Sequence, residues 1–137
     1  MKKIAFLFSL IAIIVLFGFK SNTYAQNGPV LYVCESYGDN GELGISDRFT
    51  TGYLTVMVKC DYELGLSSVN IQFDKYNPYT QKFEFNKKFP YNVKPTMKYI
   101  FFASKDLAFD SPGIYRIFLL DDLGKTVTSG LVEIISK

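Results

Sequence analysis

The chain of 137 residues contains no histidine and no tryptophan, and it has only two cysteines. The lack of histidine excludes Ser-His-Asp and Cys-His nucleophilic catalysis and histidine-based acid–base chemistry. Two cysteines without histidine also cannot supply the four ligands of a closed structural zinc site. Carboxylates are plentiful, but none stands in an apolar segment; Asp121 and Asp122 lie at a predicted turn. We therefore expect a protein that is not an enzyme and uses no cofactor.

The N-terminus has the features of an export signal. Residues 1–3 include two lysines, residues 4–19 are almost entirely apolar and rich in Ile and Phe, and residues 23–25 form a small-residue cleavage site. The alternative is an uncleaved membrane anchor, but this apolar run is shorter than the roughly 20 residues that a spanning helix needs. We predict a bacterial signal peptide at 1–25, a mature domain at 26–137 without a membrane span, and a periplasmic or secreted location.

The positive charge of the chain belongs to this signal. The whole sequence has 15 basic and 13 acidic side chains, a net charge of +2. Lys2, Lys3 and Lys20 lie in the signal, which contains no acidic residue, so 12 basic and 13 acidic side chains remain, a net charge of −1. Binding to a phosphate backbone needs a clustered cationic surface. Nucleic acid is therefore not an expected partner.

Apolar and polar residues alternate through most of the mature chain, which predicts an all-β domain. The clearest alternation places Val69, Ile71 and Phe73 on one side of a strand. A mature chain of 112 residues suffices for one domain with a single core. Seven strands are predicted, at residues 29–35, 49–60, 68–75, 82–89, 97–103, 114–120 and 125–136.

Two segments between these strands are predicted not to be strands. Residues 36–47 are rich in Gly, Asp and Asn and predict a loop. Residues 104–109 predict a crossing segment with room for one helical turn. Four side chains of the predicted loop, those of Asp39, Asn40, Glu42 and Asp47, offer oxygen ligands of the kind that calcium prefers, but their spacing does not match a calcium-binding loop. A solvated surface loop is the preferred interpretation.

A turn and the strand that follows it resemble the corner of an immunoglobulin-like or fibronectin type III-like sandwich. Leu107, Asp110, Gly113 and Tyr115 match the region where a tyrosine near the start of the penultimate strand bonds to upstream backbone. Ile117 replaces the second core cysteine of antibody domains. The resemblance implies a single antiparallel immunoglobulin-like β-sandwich of about seven strands, with Asp110, Gly113 and Tyr115 as its structural corner.

Cys34 and Cys60 fall in the first two predicted strands. Because an exported protein meets an oxidising compartment, we predict a disulfide between them. Such a bridge would contribute about 3 kcal/mol of stability in the chain-entropy model. The alternative is a pair of buried free thiols. A catalytic thiol is not expected, since no histidine is present to activate it.

The best binding candidates lie at the turn after the third predicted strand. Tyr76, Asn77, Tyr79 and Gln81 cluster there, and an exposed tyrosine combines apolar area with a hydrogen-bonding tip and few rotatable bonds. The alternative is a set of half-buried tyrosines without a binding role.

These observations favour a non-enzymatic interaction or assembly module of the bacterial cell envelope. Its partner would be an envelope or extracellular protein, contacted through a sandwich edge or through the tip at residues 76–81. The alternative is a carbohydrate-binding sandwich that recognises a glycan through tyrosine-bearing loops. Inhibition of an extracellular enzyme is a third, less supported function. A fold of this kind does not by itself decide among them.

Overall fold

The structure, a computed structural model, describes residues 27–137. The predicted signal peptide lies outside the described residues. Within them, no helix is long and apolar enough to cross a membrane. The strands are β1 (Val30–Gly38), β2 (Gly41–Ser46), β3 (Arg48–Thr50), β4 (Gly52–Tyr53), β5 (Thr55–Lys59), β6 (Ser68–Asn77), β7 (Lys82–Asn92), β8 (Tyr99–Phe102), β9 (Ala108–Phe109), β10 (Gly113–Leu120) and β11 (Thr126–Ile135), with one 3₁₀ turn at Lys105–Leu107.

The protein is all-β, as predicted, and its strands form three sheets. The first sheet is antiparallel and has the order β2-β1-β5-β8. The second has the order β3-β11-β10-β6-β7 and is mixed, because β3 runs parallel to β11. A small third sheet pairs β4 with β9. Eleven strands are thus present among the described residues, where the sequence predicted about seven.

One hydrophobic core collects side chains from both larger sheets. The alternation predicted for β6 is confirmed, since Val69, Ile71 and Phe73 are all buried. Burial of such apolar area stabilises the fold by roughly 25 cal/mol per Å². The other strands of the two sheets contribute Leu31, Val33, Val56, Val58, Ile100, Phe102, Tyr115, Ile117, Leu119, Val132 and Ile134.

The loop predicted at residues 36–47 is wrong, because β1 continues to Gly38 and β2 occupies most of the remainder. Gly38 pairs with Gly41 across a two-residue turn of Asp39 and Asn40, and Gly41 has a φ of +93° that suits glycine. A short turn of this composition is a hairpin signal. The flanking residues lack alternation, however, because most of them are exposed.

The tyrosine of the proposed corner makes a local hydrogen bond. The buried Tyr115 hydroxyl donates to the backbone carbonyl of Ser111 at 2.8 Å. Gly113 has a φ of +148°, a backbone conformation that favours glycine. Asp110 is exposed at the surface, and its carboxylate is 3.9 Å from the Lys87 ammonium.

Tyr115→Phe should lower the free energy of unfolding by about 1 kcal/mol, the usual net contribution of one hydrogen bond. Urea unfolding of the variant and the natural protein measures the difference. Tyr79→Phe is the matched control, since Tyr79 is 95% exposed and its hydroxyl should contribute nothing to stability. An unchanged unfolding free energy in Tyr115→Phe would contradict the structural role of the bond to Ser111.

The predicted disulfide between Cys34 and Cys60 is wrong, because both residues are free cysteines. Cys34 of β1 pairs with Thr55 of β5, and Cys60 lies five residues beyond Thr55. At about 3.3 Å per residue, the two cysteines are about 16 Å apart along the strands. The Cα atoms of a disulfide lie within about 7 Å of each other. Burial raises the pKa of both thiols, which disfavours the reactive thiolate.

Candidate functional site

The outer face of the first sheet contains side chains as buried as the core. In β5, Val56 and Val58 belong to the core, and Thr55 and Met57 alternate with them and so point to the opposite side. Met57 nevertheless has 0% exposure and Thr55 only 4%. Cys34, the β1 partner of Thr55, is also fully buried. Another part of the chain must therefore cover this outer face.

The cover is the end of the β1–β2 hairpin, residues 35–44, which we call the hairpin arm. β1 and β8 are separated by β5, so their backbones lie about 9.5 Å apart in the sheet. The ring of Tyr37 in the arm nevertheless stacks on the ring of Phe101 in β8, with centroids 4.5 Å apart and planes inclined by 13°. The arm therefore bends across the outer face of the first sheet.

Four rings, those of Tyr32, Tyr37, Tyr99 and Phe101, form what we call the aromatic face. Tyr37 contacts Tyr99 as well as Phe101, with a centroid distance of 6.0 Å to Tyr99. Met57 is the cross-strand partner of both Tyr32 and Phe101, so it lies beneath this face. Aromatic pairs of this kind add about 0.5–1.5 kcal/mol each beyond the area they bury.

Glu42 fixes the arm to the aromatic face by a charge-assisted hydrogen bond. The hydroxyl of Tyr32 donates to the Glu42 carboxylate at 2.5 Å. This bond, with a smaller contribution from the Tyr99 hydroxyl, lowers the pKa of Glu42 to about 2. Burial, followed by the bond to Glu42, raises the pKa of both tyrosines. The Lys59 ammonium lies 5.2 Å from the centre of the Tyr99 ring and favours the ionised carboxylate.

The lowered pKa of Glu42 predicts a specific acid dependence. Because the folded pKa of about 2 is below the unfolded value of about 4.3, the ionised carboxylate stabilises the fold above pH 4.3. This contribution is lost as the pH falls towards 2. The difference in unfolding free energy between the natural protein and Glu42→Gln should therefore be constant from about pH 5 to 8 and shrink between about pH 4.3 and 2. Urea unfolding across this range measures it, and a difference independent of pH would contradict the assignment.

Large apolar side chains remain exposed around the aromatic face. Phe101 is 50% exposed, Val30 59% and Ile45 60%. Their strand partners on this side of the sheet are Met57, Lys59 and Cys34, respectively. An exposed apolar surface of this kind, bordered by polar groups, is typical of a binding site.

A groove opens at one end of the aromatic face, where β1 begins. Its volume is about 530 Å³, and its lining residues are Asn27, Gly28, Val30, Tyr32, Lys59 and Asp61. The pairing of β1 with β2 starts only at Val33, so the segment of β1 that lines the groove is not covered by β2. The groove therefore has two apolar side chains on one strand and charged side chains from β5 and the residues after it.

The predicted binding residues at residues 76–81 are brought together in the turn between β6 and β7, but they serve different purposes. Asn77 stabilises the turn, since its side-chain oxygen accepts the backbone N–H of Tyr79 at 2.9 Å. Tyr76 packs edge-on against Phe83 with a centroid distance of 5.4 Å. Gln81 has a φ of +56°. Tyr79 is 95% exposed, and Gln81 is exposed as well.

The acidic residues of the arm form no metal site. Among the described residues, no three His, Cys, Asp or Glu side chains come together in a way that could hold a metal ion. Glu42 bonds to Tyr32 instead, and Asp39 occupies the hairpin turn.

Comparison with protein-family models and with curated proteins found no match for this chain. The site must therefore be interpreted from its own residues. Sequence reasoning missed the aromatic face and the groove. The sequence of β8, Tyr-Ile-Phe-Phe, contained one indication of the aromatic face. Ile100 and Phe102 lie in the core, and the residues that alternate with them, Tyr99 and Phe101, are both aromatic.

Proposed function

We propose that the two larger sheets form a single immunoglobulin-like β-sandwich and that the mature protein is an exported, non-enzymatic interaction or assembly module. The shared core of the two sheets and the hydrogen bond from Tyr115 to Ser111 support the sandwich. The export signal predicted at residues 1–25 supports a periplasmic or secreted location. The absence of histidine from the sequence supports a binding function over a catalytic one.

The partner is an envelope or extracellular protein that binds the aromatic face. The observation that carries this proposal is the half-exposed ring of Phe101, held by its stack on Tyr37. Val30 and Ile45 on the same side of the sheet are also exposed. A rigid aromatic anchor loses little entropy on binding and is a common interface hot spot. Glu35 and Asp39 of the arm and Lys59 of β5 are also exposed, so the partner presents apolar side chains flanked by charges of both signs.

The long edge strand β7 is a weaker candidate for strand-to-strand contact. Lys87 points inward, with its ammonium 5.2 Å from the centre of the Phe73 ring and bonded to the Ala108 carbonyl. Pro90 lies in the same strand. Inward-pointing charges and prolines are devices by which edge strands avoid pairing with other chains. We therefore place the contact on the aromatic face and not on this edge.

Binding of the purified protein to isolated bacterial envelope tests the proposal. We expect saturable binding that is lost after protease treatment of the envelope, retained after periodate oxidation of its glycans, and weakened at least tenfold in Phe101→Ser. Leu123→Ser is the matched control, because Leu123 is 89% exposed in the β10–β11 turn. Binding that survives protease treatment, or that Phe101→Ser leaves unchanged, would overturn the proposal.

Carbohydrate binding through tyrosine-bearing surfaces is the second candidate function. Residues 76–81 give it little support, because the side chains of Asn77 and Tyr76 already make contacts within the β6–β7 hairpin. The groove beside Tyr32 favours it more, because an aromatic ring and hydrogen-bonding side chains line the same space.

A further inference from the structure

The groove at the start of β1 has an apolar side built from two residues of one strand. Val30 and Tyr32 both line it, and as alternate residues of β1 they lie on the same side of the strand. Val30 is 59% exposed, and Tyr32 is partly exposed. The C–H face of a sugar ring packs well against such a surface, because an aromatic ring contributes apolar area together with a polar tip.

The Tyr32 ring is held in place before any ligand arrives. Its hydroxyl donates to the Glu42 carboxylate at 2.5 Å, and Glu42 belongs to the arm that folds over the sheet. Binding sites work best when their contact residues are fixed by a second layer of interactions. A ligand that stacks on Tyr32 would therefore not have to restrict the motion of this ring.

Polar side chains of both hydrogen-bonding types surround this apolar surface. The Lys59 ammonium can only donate, the Asp61 carboxylate can only accept, and the Asn27 amide can do both. All three residues are exposed, so their polar groups are available to a ligand. A hydroxyl-rich ligand needs this mixture, because each hydroxyl both donates and accepts hydrogen bonds.

The charges of the groove select against strongly charged ligands. Lys59 and Asp61 are its two charged lining residues and have opposite signs, so their charges balance. A phosphate or sulfate group would meet the Asp61 carboxylate, and a cationic group would meet the Lys59 ammonium. A volume of about 530 Å³ lies in the usual range for small-molecule sites.

We propose that this groove binds a neutral pyranose unit of a glycan, with the sugar ring stacked on Tyr32 and its hydroxyls bonded to Lys59, Asp61 and Asn27. The proposal locates the second candidate function in defined residues, and it does not depend on protein binding at Phe101.

Isothermal titration and saturation-transfer NMR with glucose, galactose, mannose, N-acetylglucosamine and their β-linked disaccharides test the proposal on the purified protein. At least one of these sugars should bind at millimolar concentration or better. Tyr32→Ala should weaken binding more than tenfold through loss of the stacking surface. Asp61→Asn should weaken sugar binding about tenfold, because it removes a charged hydrogen-bond acceptor. Asp61 lies outside the strands, so this substitution should leave the sheets intact. Tyr53→Ala is the matched control, since Tyr53 is 64% exposed and does not line the groove.

Near-UV circular dichroism checks that each variant is folded. If Tyr32→Ala does not fold, Asp61→Asn still tests the proposal. The proposal is overturned if no sugar of the panel binds at millimolar concentration, or if Asp61→Asn binds as tightly as the natural protein. Envelope binding that depends on Phe101 is unaffected by either outcome. Failure of this proposal is therefore distinguishable from failure of the protein-binding function.

Discussion

Phe109→Ala is expected to lower the free energy of unfolding by about 3–5 kcal/mol, the usual cost of removing a buried phenylalanine side chain. Phe109 is 1% exposed. Its ring stacks on Phe73 with a centroid distance of 4.8 Å and meets Tyr115 edge-on at 5.1 Å. The substitution thus removes apolar area and both aromatic pairs, and it leaves a cavity in the core where β9 packs on β6 and β10. Urea or thermal unfolding measures the loss.

Phe85→Ala is the control for this prediction, because it makes the same chemical change at a ring that is 65% exposed. Surface substitutions of this kind usually change stability by no more than about 0.5 kcal/mol. If Phe109→Ala does not fold, Phe109→Leu provides a graded measurement, since leucine retains most of the buried volume. A loss at Phe109 no larger than that at Phe85 would mean that β9 does not pack in the core.

The alternation of residues predicted much of the fold because the main strands each have one face in the core. The stretch with Val69, Ile71 and Phe73 corresponds to β6. The sequence of β10 is apolar on nearly both sides, and its alternate residues Tyr115, Ile117 and Leu119 are the ones that lie in the core. In each case burial itself sets the period of two. The pattern is local, so it can be recognised without knowledge of the partner strand.

The short strands could not be predicted, because they are defined by distant partners. β9 has only two residues. It is a strand because it pairs with β4, with Phe109 opposite Gly52 and Ala108 opposite Tyr53. Two residues cannot display a period. β2 was missed for a related reason: its side chains mostly face solvent, so the hydrophobic pattern that marks the other strands is missing there.

The candidate site depends on contacts between residues far apart in sequence. Tyr37 meets Phe101, and Tyr32 meets Glu42, only because the hairpin arm bends over the sheet. The sequence showed that β8 is aromatic on both sides, but it gave no indication of what covers the outer side. The disulfide prediction failed for the same reason. Two cysteines on neighbouring strands can pair only in the right register, and the register of β1 against β5 is not visible in the composition of either strand.

Gly130→Ala should destabilise the protein by about 1–3 kcal/mol, the usual cost of an added group in a packed interior. Gly130 lies in β11 and pairs with Ile117. A Cβ at this position would lie 2.8 Å from the backbone oxygen of Leu31 and 3.1 Å from a methyl carbon of its side chain. The backbone oxygen belongs to β1 of the other large sheet and cannot rotate away. Glycine therefore sets how closely β11 and β1 approach.

Two effects of the substitution oppose each other, and their magnitudes decide the sign. Replacing glycine by alanine in a strand gains roughly 0.5–1 kcal/mol, because the unfolded chain loses conformational freedom. At Gly130 this gain is smaller than the cost of separating β11 from Leu31, so the net effect is a loss of stability. Gly38→Ala isolates the gain, since a Cβ on Gly38 would meet nothing within 4 Å. Urea unfolding should therefore show Gly38→Ala to be neutral or stabilising and Gly130→Ala to be destabilising. Equal effects at the two positions would mean that the two sheets can move apart at β1 and β11 without cost.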